Sequence, residues 1–422
     1  MISFLISALK IIFLLGFLIL IHEAGHFFVA KLFKVKVHEF AIGFGPKILA
    51  KQGKETKYEL RLIPLGGFVR LEGEETRSED KRAFNNASIP KRMAIAAAGG
   101  AVNIVFGILV YFIIMSAMGN NVSTVVDSTI SEFAAEQYGI YSGDKIEKIN
   151  GRNINTKADI DEILKKSNGE ELTIQLERNN EEKEIKLTPT KKESKSTGIY
   201  VASNTNGKDE TQVLQVDKGS AAEKAGIKAN DIIIKFNNEE IEGKADKLIQ
   251  AIQNCKENNV EVEVKRDGEN FTTNIELDLI PTYYLGINFK LAENNFTNNV
   301  YYAFFKTGDF LGSILENLKM LFTGKVGIDQ MMGPVGISSV VSQTTGIADF
   351  LYMLAIISIS LGFTNLLPIP ALDGGKLLIL LIEAIRRKPM KEELEIGIQM
   401  VGFIILISLS IFISYKDILR IF

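Results

Sequence analysis

The strongest constraint on the fold is an apolar stretch near the start of the chain that ends in two histidines and a carboxylate. Residues 2–21 are apolar except for Lys10 and a few small residues, and a helix of that length crosses a bilayer. The stretch runs directly into His22-Glu23-Ala24-Gly25-His26. On a helix, two histidines four residues apart share one face and can bind one Zn²⁺, and the glutamate between them can accept a proton from metal-bound water. Ionisable groups are costly inside a membrane, so the pattern predicts a functional metal site.

The composition excludes some classes of protein. The formal net charge of −3 argues against a nucleic-acid partner, which usually requires an excess of basic residues. The single cysteine, Cys255, excludes an internal disulfide. The first apolar stretch is longer than the core of a typical signal peptide, and no small-residue cleavage site precedes His22. Removal of this segment as a signal peptide would also discard the histidine motif. We therefore expect a retained first span that lies in a lipid bilayer.

Four spans are expected, so the chain is predicted to be a polytopic α-helical membrane protein. The predicted intervals are 1–33, 93–118, 350–385 with a break near 367, and 394–413. Residues 31–92 contain fourteen Lys and Arg against eight Asp and Glu, and four basic residues lie between 386 and 391. By the positive-inside rule both loops face the cytoplasm, and the long polar region after the second span faces outside.

The polar middle contains an internal repeat. Residues 138–146 recur as 225–233, and Ile149-Asn150 recurs as Phe236-Asn237 at the same offset of 87 residues. A helical pattern and alternating strand patterns follow each block, which predicts two α+β domains between spans 2 and 3, at 121–190 and 208–279. The repeated pattern resembles bacterial PDZ domains. Such domains bind extended peptide tails at a sheet edge, and a steric filter above the membrane is an equal alternative.

An amphipathic helix is predicted at 296–325, before the third span. Its apolar residues recur at steps of three and four: Phe304, Leu311, Ile314, Leu315, Leu318, Leu321 and Phe322. This pattern favours a helix in the outer membrane interface. Packing against the repeat domains is the alternative.

A catalytic zinc ion usually has three protein ligands and one open position, so a third ligand is needed. The third span ends in a segment, 365–375, whose two prolines and paired glycines must break the helix. Irregular backbone at membrane depth occurs only where it is buried in protein or lines a wet cavity. Asp373 is the one carboxylate in this break. We predict that His22, His26 and Asp373 bind one Zn²⁺ per chain and that Glu23 is catalytic, with a helix cap as the alternative role for Asp373.

The segment 34–92 is predicted to be a cytoplasmic or re-entrant β-hairpin. Residues 58–63 and 68–72 are β-type runs, and a Pro-Leu-Gly-Gly turn joins them. A hairpin near the zinc offers an edge that holds a substrate strand by main-chain hydrogen bonds. The predicted substrate-binding residues in it are Arg61, Leu62, Ile63, Gly66 and Gly67. An ordinary cytoplasmic hairpin is the alternative.

These motifs together resemble the site-2 protease family of intramembrane zinc metalloproteases. The pattern H-E-x-x-H lies in the first span, and the pattern N-x-x-P-x-P-x-L-D-G-G lies at the end of the third. The PDZ-like repeats lie between the second and third spans. Within the family, the chain is most similar to the bacterial regulator-of-sigma-E protease type. The resemblance covers essentially the whole chain. It implies zinc ligation by His22, His26 and Asp373, acid–base catalysis by Glu23, and substrate contact by Asn365.

The resemblance implies regulated intramembrane proteolysis in a bacterial cytoplasmic membrane, with extracytoplasmic PDZ-like domains. The expected substrates are single-span membrane proteins such as anti-sigma factors trimmed outside the membrane, and remnant signal peptides. Two other functions compete with this hypothesis. A non-catalytic PDZ-bearing scaffold would not need the intact Glu23, and a transporter with an ion site would favour inverted repeats among the spans, which are not evident.

Overall fold

The computed structural model describes residues 2–74, 76–201, 211–241, 243–266, 268–324, 331–344 and 346–421. Some residues of the predicted intervals lie outside the described residues: 1 in the first span, 75 in the segment after it, 208–210, 242 and 267 in the second repeat domain, and 325 in the amphipathic helix. The chain divides into two compact units. We call Met1–Gly119 with Asn295–Phe422 the membrane unit, and Asn120–Asn294 the repeat unit.

Eleven α-helices and one short 3-10 turn (Phe84–Asn86) lie in the described residues. The helices are α1 (Ile2–Leu32), α2 (Ile89–Met118), α3 (Ala134–Gln137), α4 (Lys157–Ser167), α5 (Ala221–Lys224), α6 (Ala245–Asn254), α7 (Phe296–Phe322), α8 (Pro334–Gln343), α9 (Ile347–Leu366), α10 (Asp373–Arg386) and α11 (Glu392–Ile421). Four are long and apolar enough to cross a membrane: α1 over Ala8–Leu32, α2, α9, and α11 over Glu392–Leu419. These four agree with the predicted spans. The third predicted interval, 350–385, contains α9 and α10 with an irregular segment between them.

The strands are β1 (Val37–Gln52), β2 (Lys57–Leu71), β3 (Val122–Thr129), β4 (Lys145–Ile149), β5 (Arg152–Asn153), β6 (Leu172–Arg178), β7 (Glu181–Leu187), β8 (Thr190–Ser196), β9 (Ile199–Val201), β10 (Val213–Val216), β11 (Ile232–Phe236), β12 (Glu239–Glu240), β13 (Asn259–Arg266), β14 (Glu269–Glu276), β15 (Asp278–Tyr284) and β16 (Ile287–Leu291). Only β1 and β2 among them belong to the membrane unit. The larger sheets of the repeat unit have the orders β16-β3-β4-β6-β7, with β5 on β4, and β12-β11-β13-β14. Two further pairs are β15 with β8 and β10 with β9.

The long helix α2 packs against α1, α7, α9 and α10. Its glycines permit close contact between backbones. A Cβ added to Gly100 would lie 2.7 Å from the main-chain oxygen of Gly362 in α9, and a Cβ on Gly107 would overlap the Ile359 side chain of α9. The helix ends at Gly119, whose φ of 61° is the left-handed conformation common at helix C-termini. Helix α2 therefore lies at the centre of the membrane unit and contacts four of its other helices.

The amphipathic helix α7 packs against α2 and α9. Ala303 and Thr307 are buried on this face, whereas Phe304, Leu315 and Phe322 are exposed. The exposed face of α7 is apolar, and α7 lies next to candidate membrane spans. Such a face is typical of a helix in contact with lipid.

The small sheet of the membrane unit differs from the predicted hairpin. In the structure, runs 58–63 and 68–72 do not pair with each other, because β1 lies between them. Phe40 of β1 is opposite Tyr58 on one side and Val69 on the other. The distal half of β1 turns back onto the start of β2, where Lys51 is opposite Tyr58. The run 67–71 is therefore at an edge of this sheet.

Each repeat has its own hydrophobic core, but the first core is not contiguous in sequence. It takes Leu285 as a buried member, and Ile287 and Phe289 pack against it. These residues reach it because β16 pairs with β3, with Phe289 opposite Val126. The second core includes residues from Val213 to Leu277, with Ile199 and Val201 packed against it. The second repeat is thus inserted within the first. The predicted interval 121–190 for the first domain does not include β16, which contributes to the core of that domain.

The aspartate of the repeated turn, Asp144 in the first repeat and Asp231 in the second, forms the same buried ion pair in both repeats. Arg178 donates from Nε and Nη2 to the two carboxylate oxygens of Asp144, each at 2.7 Å, and also to the main-chain oxygen of Gly139 at 2.7 Å. Arg266 makes the same three bonds, to Asp231 and to Gly226, at 2.7 Å each. The bidentate geometry fixes the turn in front of the following strand.

Candidate metal centre

The two histidines of the motif lie on one face of α1 and meet the carboxylate at the start of α10. The Nε2 atoms of His22 and His26 are 3.2 Å apart. Oδ2 of Asp373 is 3.2 Å from Nε2 of His22 and 3.3 Å from Nε2 of His26. Within the described residues, these three form a group whose geometry could hold a metal ion.

The triangle of ligand atoms has the size that zinc requires. A tetrahedral zinc ion with bonds of roughly 2.0–2.1 Å has ligand atoms about 3.3–3.4 Å apart. The observed sides of 3.2–3.3 Å match this spacing. Oδ2 of Asp373 is buried and, within the described part of the chain, makes no hydrogen bond, although both imidazoles are at ion-pair distance. Three electron-pair donors that face one point fit a cation, and two nitrogens with one carboxylate oxygen are a ligand set typical of zinc.

Helix α2 brings the imidazoles into this arrangement. His26 Nδ1 is 2.8 Å from the main-chain oxygen of Ile95 in α2. A proton on Nδ1 would be donated to this oxygen, which leaves the Nε2 lone pair free to face the site. One turn further along α2, a Cβ added to Gly99 would overlap His26 Nε2 and lie 2.6 Å from His22 Cε1. Only glycine lets α2 approach the two rings this closely.

The irregular segment after α9 presents Asp373. Ala371 has a φ of 74°, which is strained for a residue with a side chain. Its main-chain N–H donates to the Gln399 side chain of α11, which holds it in this conformation. The N-cap of α10 is Leu372, and Asp373 is the first residue of the helix. The alternative role of Asp373 as the cap of this helix therefore has no support in the structure.

Glu23 lines the same cavity as the three candidate ligands. This cavity has a volume of about 200 Å³ and is also bounded by side chains of β2 and α10. In its wall, Lys376 donates to Glu74 over 2.6 Å. A larger cavity of about 950 Å³ shares Asp373, Lys376 and Glu74 with it. Charged side chains therefore line the space beside Glu23.

The predicted substrate-binding residues are in different surroundings. A Cβ added to Gly67 would lie 3.2 Å from Cγ of Glu23, so the β2 backbone passes beside the predicted catalytic residue. Leu62 and Ile63 lie on the distal part of β2 and are 59% and 48% exposed. Gly66 is buried, with a φ of 132°.

Arg61 and Asn365 have other positions. Arg61 donates to Glu59 at 2.7 Å and to Glu39 at 3.1 Å, so its guanidinium belongs to a charged network within the sheet. Asn365 is half-buried in the last turn of α9. The structure thus brings Gly67 to Glu23 and assigns Arg61 a structural contact.

Sequence reasoning missed the contacts of α2 with the site. Ile95, Gly99 and Asn103 are four residues apart and share one face of the helix. One signal for this face was available, because Asn103 is a polar residue in an otherwise apolar span.

Comparison with known proteins covers the whole chain. Residues 10–409 match peptidase family M50. The chain is 30% identical to the regulator of sigma-E protease RseP of Escherichia coli, over 100% of both chains. It is 31% identical to a candidate zinc metalloprotease of Clostridium acetobutylicum, over 96% of this chain and 94% of that protein. The solved PDZ domain of HtrA3 with a phage-derived ligand is 20% identical, with a TM-score of 0.20, over 22% of this chain and 93% of that one. Because the family match and the relatives extend over nearly every residue, the chain belongs to peptidase family M50 and is a metalloprotease.

Proposed function

We propose that the chain is an intramembrane endopeptidase that binds one Zn²⁺ per chain at His22, His26 and Asp373. The observation that carries this proposal is the triangle of three ligand atoms, 3.2–3.3 Å apart, beside Glu23. The histidines are in α1, a candidate membrane span, and Asp373 begins α10, after the irregular segment that follows another candidate span, α9. Peptide hydrolysis would then take place at or near membrane depth.

The chain's own residues supply the acid–base chemistry. Zinc at this site would supply a Lewis acid that polarises water and the scissile carbonyl. Glu23 accepts a proton from the attacking water and delivers it to the leaving amine. The carboxylate suits this role because it lines the cavity without being one of the three converging atoms.

The edge of β2 is the proposed binding site for the substrate strand. One side of residues 67–71 pairs with β1, and β1 is the only strand that pairs with β2 among the described residues. Phe68, Val69 and Leu71 line the cavity that contains Glu23. An extended substrate that adds to this edge would have its main chain held beside Glu23. Strand addition also exposes a peptide bond that a helix would protect.

The distal part of the same sheet is proposed to dip into the bilayer. Its exposed apolar residues are Phe44, Ile48, Leu49, Leu60, Leu62 and Ile63, each 38–65% exposed. A patch of this kind marks an interaction with a partner or a membrane. A sheet that is apolar at its tip and adjoins the site at its base would receive a substrate from the lipid.

The proposed substrates are single-span membrane proteins of anti-sigma-factor type and remnant signal peptides. The relatives in Escherichia coli and Haemophilus influenzae are named as regulators of sigma-E, and the second is 30% identical over 99% of this chain. The basic loops support a position in a bacterial cytoplasmic membrane with the repeat unit outside. The repeat unit is proposed to act on substrates as PDZ-like domains, by filtering or by binding peptide tails. The scaffold alternative has no separate observation in its favour.

The test is cleavage by the purified chain in liposomes, with a panel of single-span substrates, mass spectrometry of the products and metal analysis of the enzyme. We expect cuts within or next to the apolar segment, loss of cutting with a chelator, and recovery with zinc. Asp373→Ala should lower the zinc content, because it removes one of three ligands. Cleavage that continues without metal, or a full zinc content in Asp373→Ala, would overturn the proposal.

A further inference from the structure

We propose that Asn103 is a positioning residue for His22, which holds the imidazole in the tautomer that leaves Nε2 free for zinc. The proposal rests on the zinc site proposed above. It concerns a group that does not touch zinc or substrate and acts only through His22.

The first observation is the position of the Asn103 side chain. Asn103 lies in the middle of the candidate span α2 and is completely buried. Its amide nitrogen is 3.4 Å from Nδ1 of His22, and its amide oxygen Oδ1 is buried and without a hydrogen-bond partner in the described residues. An unsatisfied buried amide oxygen is costly, roughly 1–3 kcal/mol. The side chain therefore needs a donor close to this position.

The imidazole of His22 supplies that donor. Its Nε2 atom faces Nε2 of His26 and Oδ2 of Asp373, each at 3.2 Å. Metal binding requires the lone pair of Nε2, so the ring proton must be on Nδ1. Rotation of the amide by 180° exchanges its oxygen and nitrogen within the same volume. Nδ1–H of His22 then donates to Oδ1 of Asn103, so the amide oxygen and the ring proton become partners.

The backbone around Asn103 is fixed. The Ser358 hydroxyl of α9 donates to the main-chain oxygen of Asn103 over 2.8 Å. A Cβ added to Gly362 of α9 would lie 3.1 Å from Cβ of Asn103, so the two helices are in close contact here. A rigid backbone is what a positioning residue needs, because a mobile amide could not select one tautomer.

The same face of α2 contacts both histidines. Ile95 offers its main-chain oxygen to Nδ1 of His26, Gly99 makes room for both rings, and Asn103 faces Nδ1 of His22. These residues recur every four positions, so one stripe of a single helix orients both imidazoles. This arrangement gives a reason for a polar side chain inside an apolar span.

The experiment measures zinc affinity of the full-length chain in detergent, by competition with a chromogenic chelator. Asn103→Leu removes the acceptor at similar volume, and we expect its zinc affinity to fall about 10- to 100-fold. Asn103→Asp keeps an acceptor and should restore affinity to within a few-fold of the unmodified chain. Val105→Ala is the matched control, because Val105 lies in the same helix but is 64% exposed, and the zinc affinity of this variant should be unchanged.

Two outcomes would overturn the inference: unchanged affinity in Asn103→Leu, or an equal loss in Asn103→Asp. If Asn103→Leu does not fold, Asn103→Ala removes the acceptor without adding volume, and unchanged affinity there has the same meaning. His22→Ala separates this inference from the proposed function. Zinc lost in His22→Ala but kept in Asn103→Leu refutes only the role of Asn103. Zinc kept in His22→Ala refutes the metal site itself.

Discussion

At the scale of single residues, neighbours in sequence have different roles in the site. His22 and Glu23 are adjacent in α1, yet only the histidine is among the three atoms that converge on one point. Successive residues on a helix are rotated by about 100° from each other. Glu23 therefore lines the cavity beside the three candidate ligands, in a position that suits the proposed proton transfer.

Glu23→Gln should abolish cleavage and leave zinc bound. The amide has the size of the carboxylate but cannot accept the proton of the attacking water, so the cleavage rate should fall by about 10²- to 10⁴-fold. Metal analysis of the purified variant and a cleavage assay with one substrate measure the two effects. Loss of zinc in this variant would make Glu23 a ligand.

At the scale of elements, β2 contacts α1 beside Glu23, the proposed catalytic residue. Gly67 is in the edge segment of β2, and its backbone passes directly over the Glu23 side chain. A strand that places its main chain beside a catalytic carboxylate can fix the distance between a bound peptide and that carboxylate. The glycine is needed for this close approach.

Gly67→Ala should slow cleavage without loss of zinc. The new Cβ would lie 2.8 Å from the main-chain oxygen of Ala41 and 3.2 Å from Cγ of Glu23, so the strand or the carboxylate must shift. Because small misplacements at a reacting centre are expensive, we expect a rate about 10- to 100-fold lower. Gly397→Ala in α11 is the control, since a Cβ there meets nothing within 4 Å. A full rate in Gly67→Ala would show that the sheet is not close to the reacting atoms.

The ion pairs of the repeat unit give a second prediction at this scale. Asp144→Asn should destabilise the first repeat by about 3 kcal/mol, because Arg178 loses its buried partner. Hydrogen exchange of the full chain should then speed up in β4 and β6. Asp231→Asn is the matched variant, and its effect should appear in β11 and β13. If either variant reduced protection from hydrogen exchange equally in both repeats, the two cores would not be independent.

The stabilisation of the first repeat by the Asp144–Arg178 ion pair decreases in acid. Burial opposes ionisation of Asp144, but the Arg178 guanidinium and the Tyr141 N–H hold its pKa below the usual value. The stabilisation is therefore complete above the unfolded-state pKa of about 4 and is lost as the pH falls through the lower folded-state pKa. Acid should weaken the first repeat of the unmodified chain and have less effect in Asp144→Asn.

At the scale of the whole molecule, the metal site and the inserted repeats belong to different units. His22, His26 and Asp373 all lie in the membrane unit. The repeat unit is a single insertion whose first and last strands are neighbours: Ala292 donates to the main-chain oxygen of Asn121 over 2.8 Å. A short turn can therefore replace the whole unit.

Replacement of Asn120–Asn294 by a short turn should leave zinc bound and relax substrate choice. If the repeats exclude bulky proteins, the shortened enzyme should cut substrates that keep a folded outer domain. If they recruit substrates by strand addition, cutting of trimmed substrates should slow and untrimmed ones should stay intact. We expect cutting of the bulky form, measured with one substrate in both forms and in both enzymes. Resistance of the bulky form to an otherwise active shortened enzyme would rule out the filter.

The grouping of His22, His26 and Asp373 could be predicted because its signals are local. The spacing of His22 and His26 fixes their common face, and the prolines before Asp373 require a break that exposes a carboxylate. The membership of the protease family, which the comparisons confirm, follows from the same motifs.

Other features could not be predicted because they depend on distant pairing. The contact between the Asn103 amide and Nδ1 of His22 forms only once α2 has packed on α1. In sequence, the two β-type runs of β2 have the pattern of a hairpin. Only the pairing of Phe40 with both runs shows that β1 lies between them in the sheet. The repeat offset of 87 residues gives no sign that Leu285 returns to the first core.

The insertion of one repeat within the other determines the order in which they can fold during synthesis. All residues of the second core have been made once Leu277 has left the ribosome. The first core still lacks Leu285 and the strand β16 at that moment. Domains usually complete their folding from the N-terminus onward. Here the second repeat can complete its core before the first repeat does. In the first repeat, β3 lacks its partner β16 until the last residues of the insertion have been made.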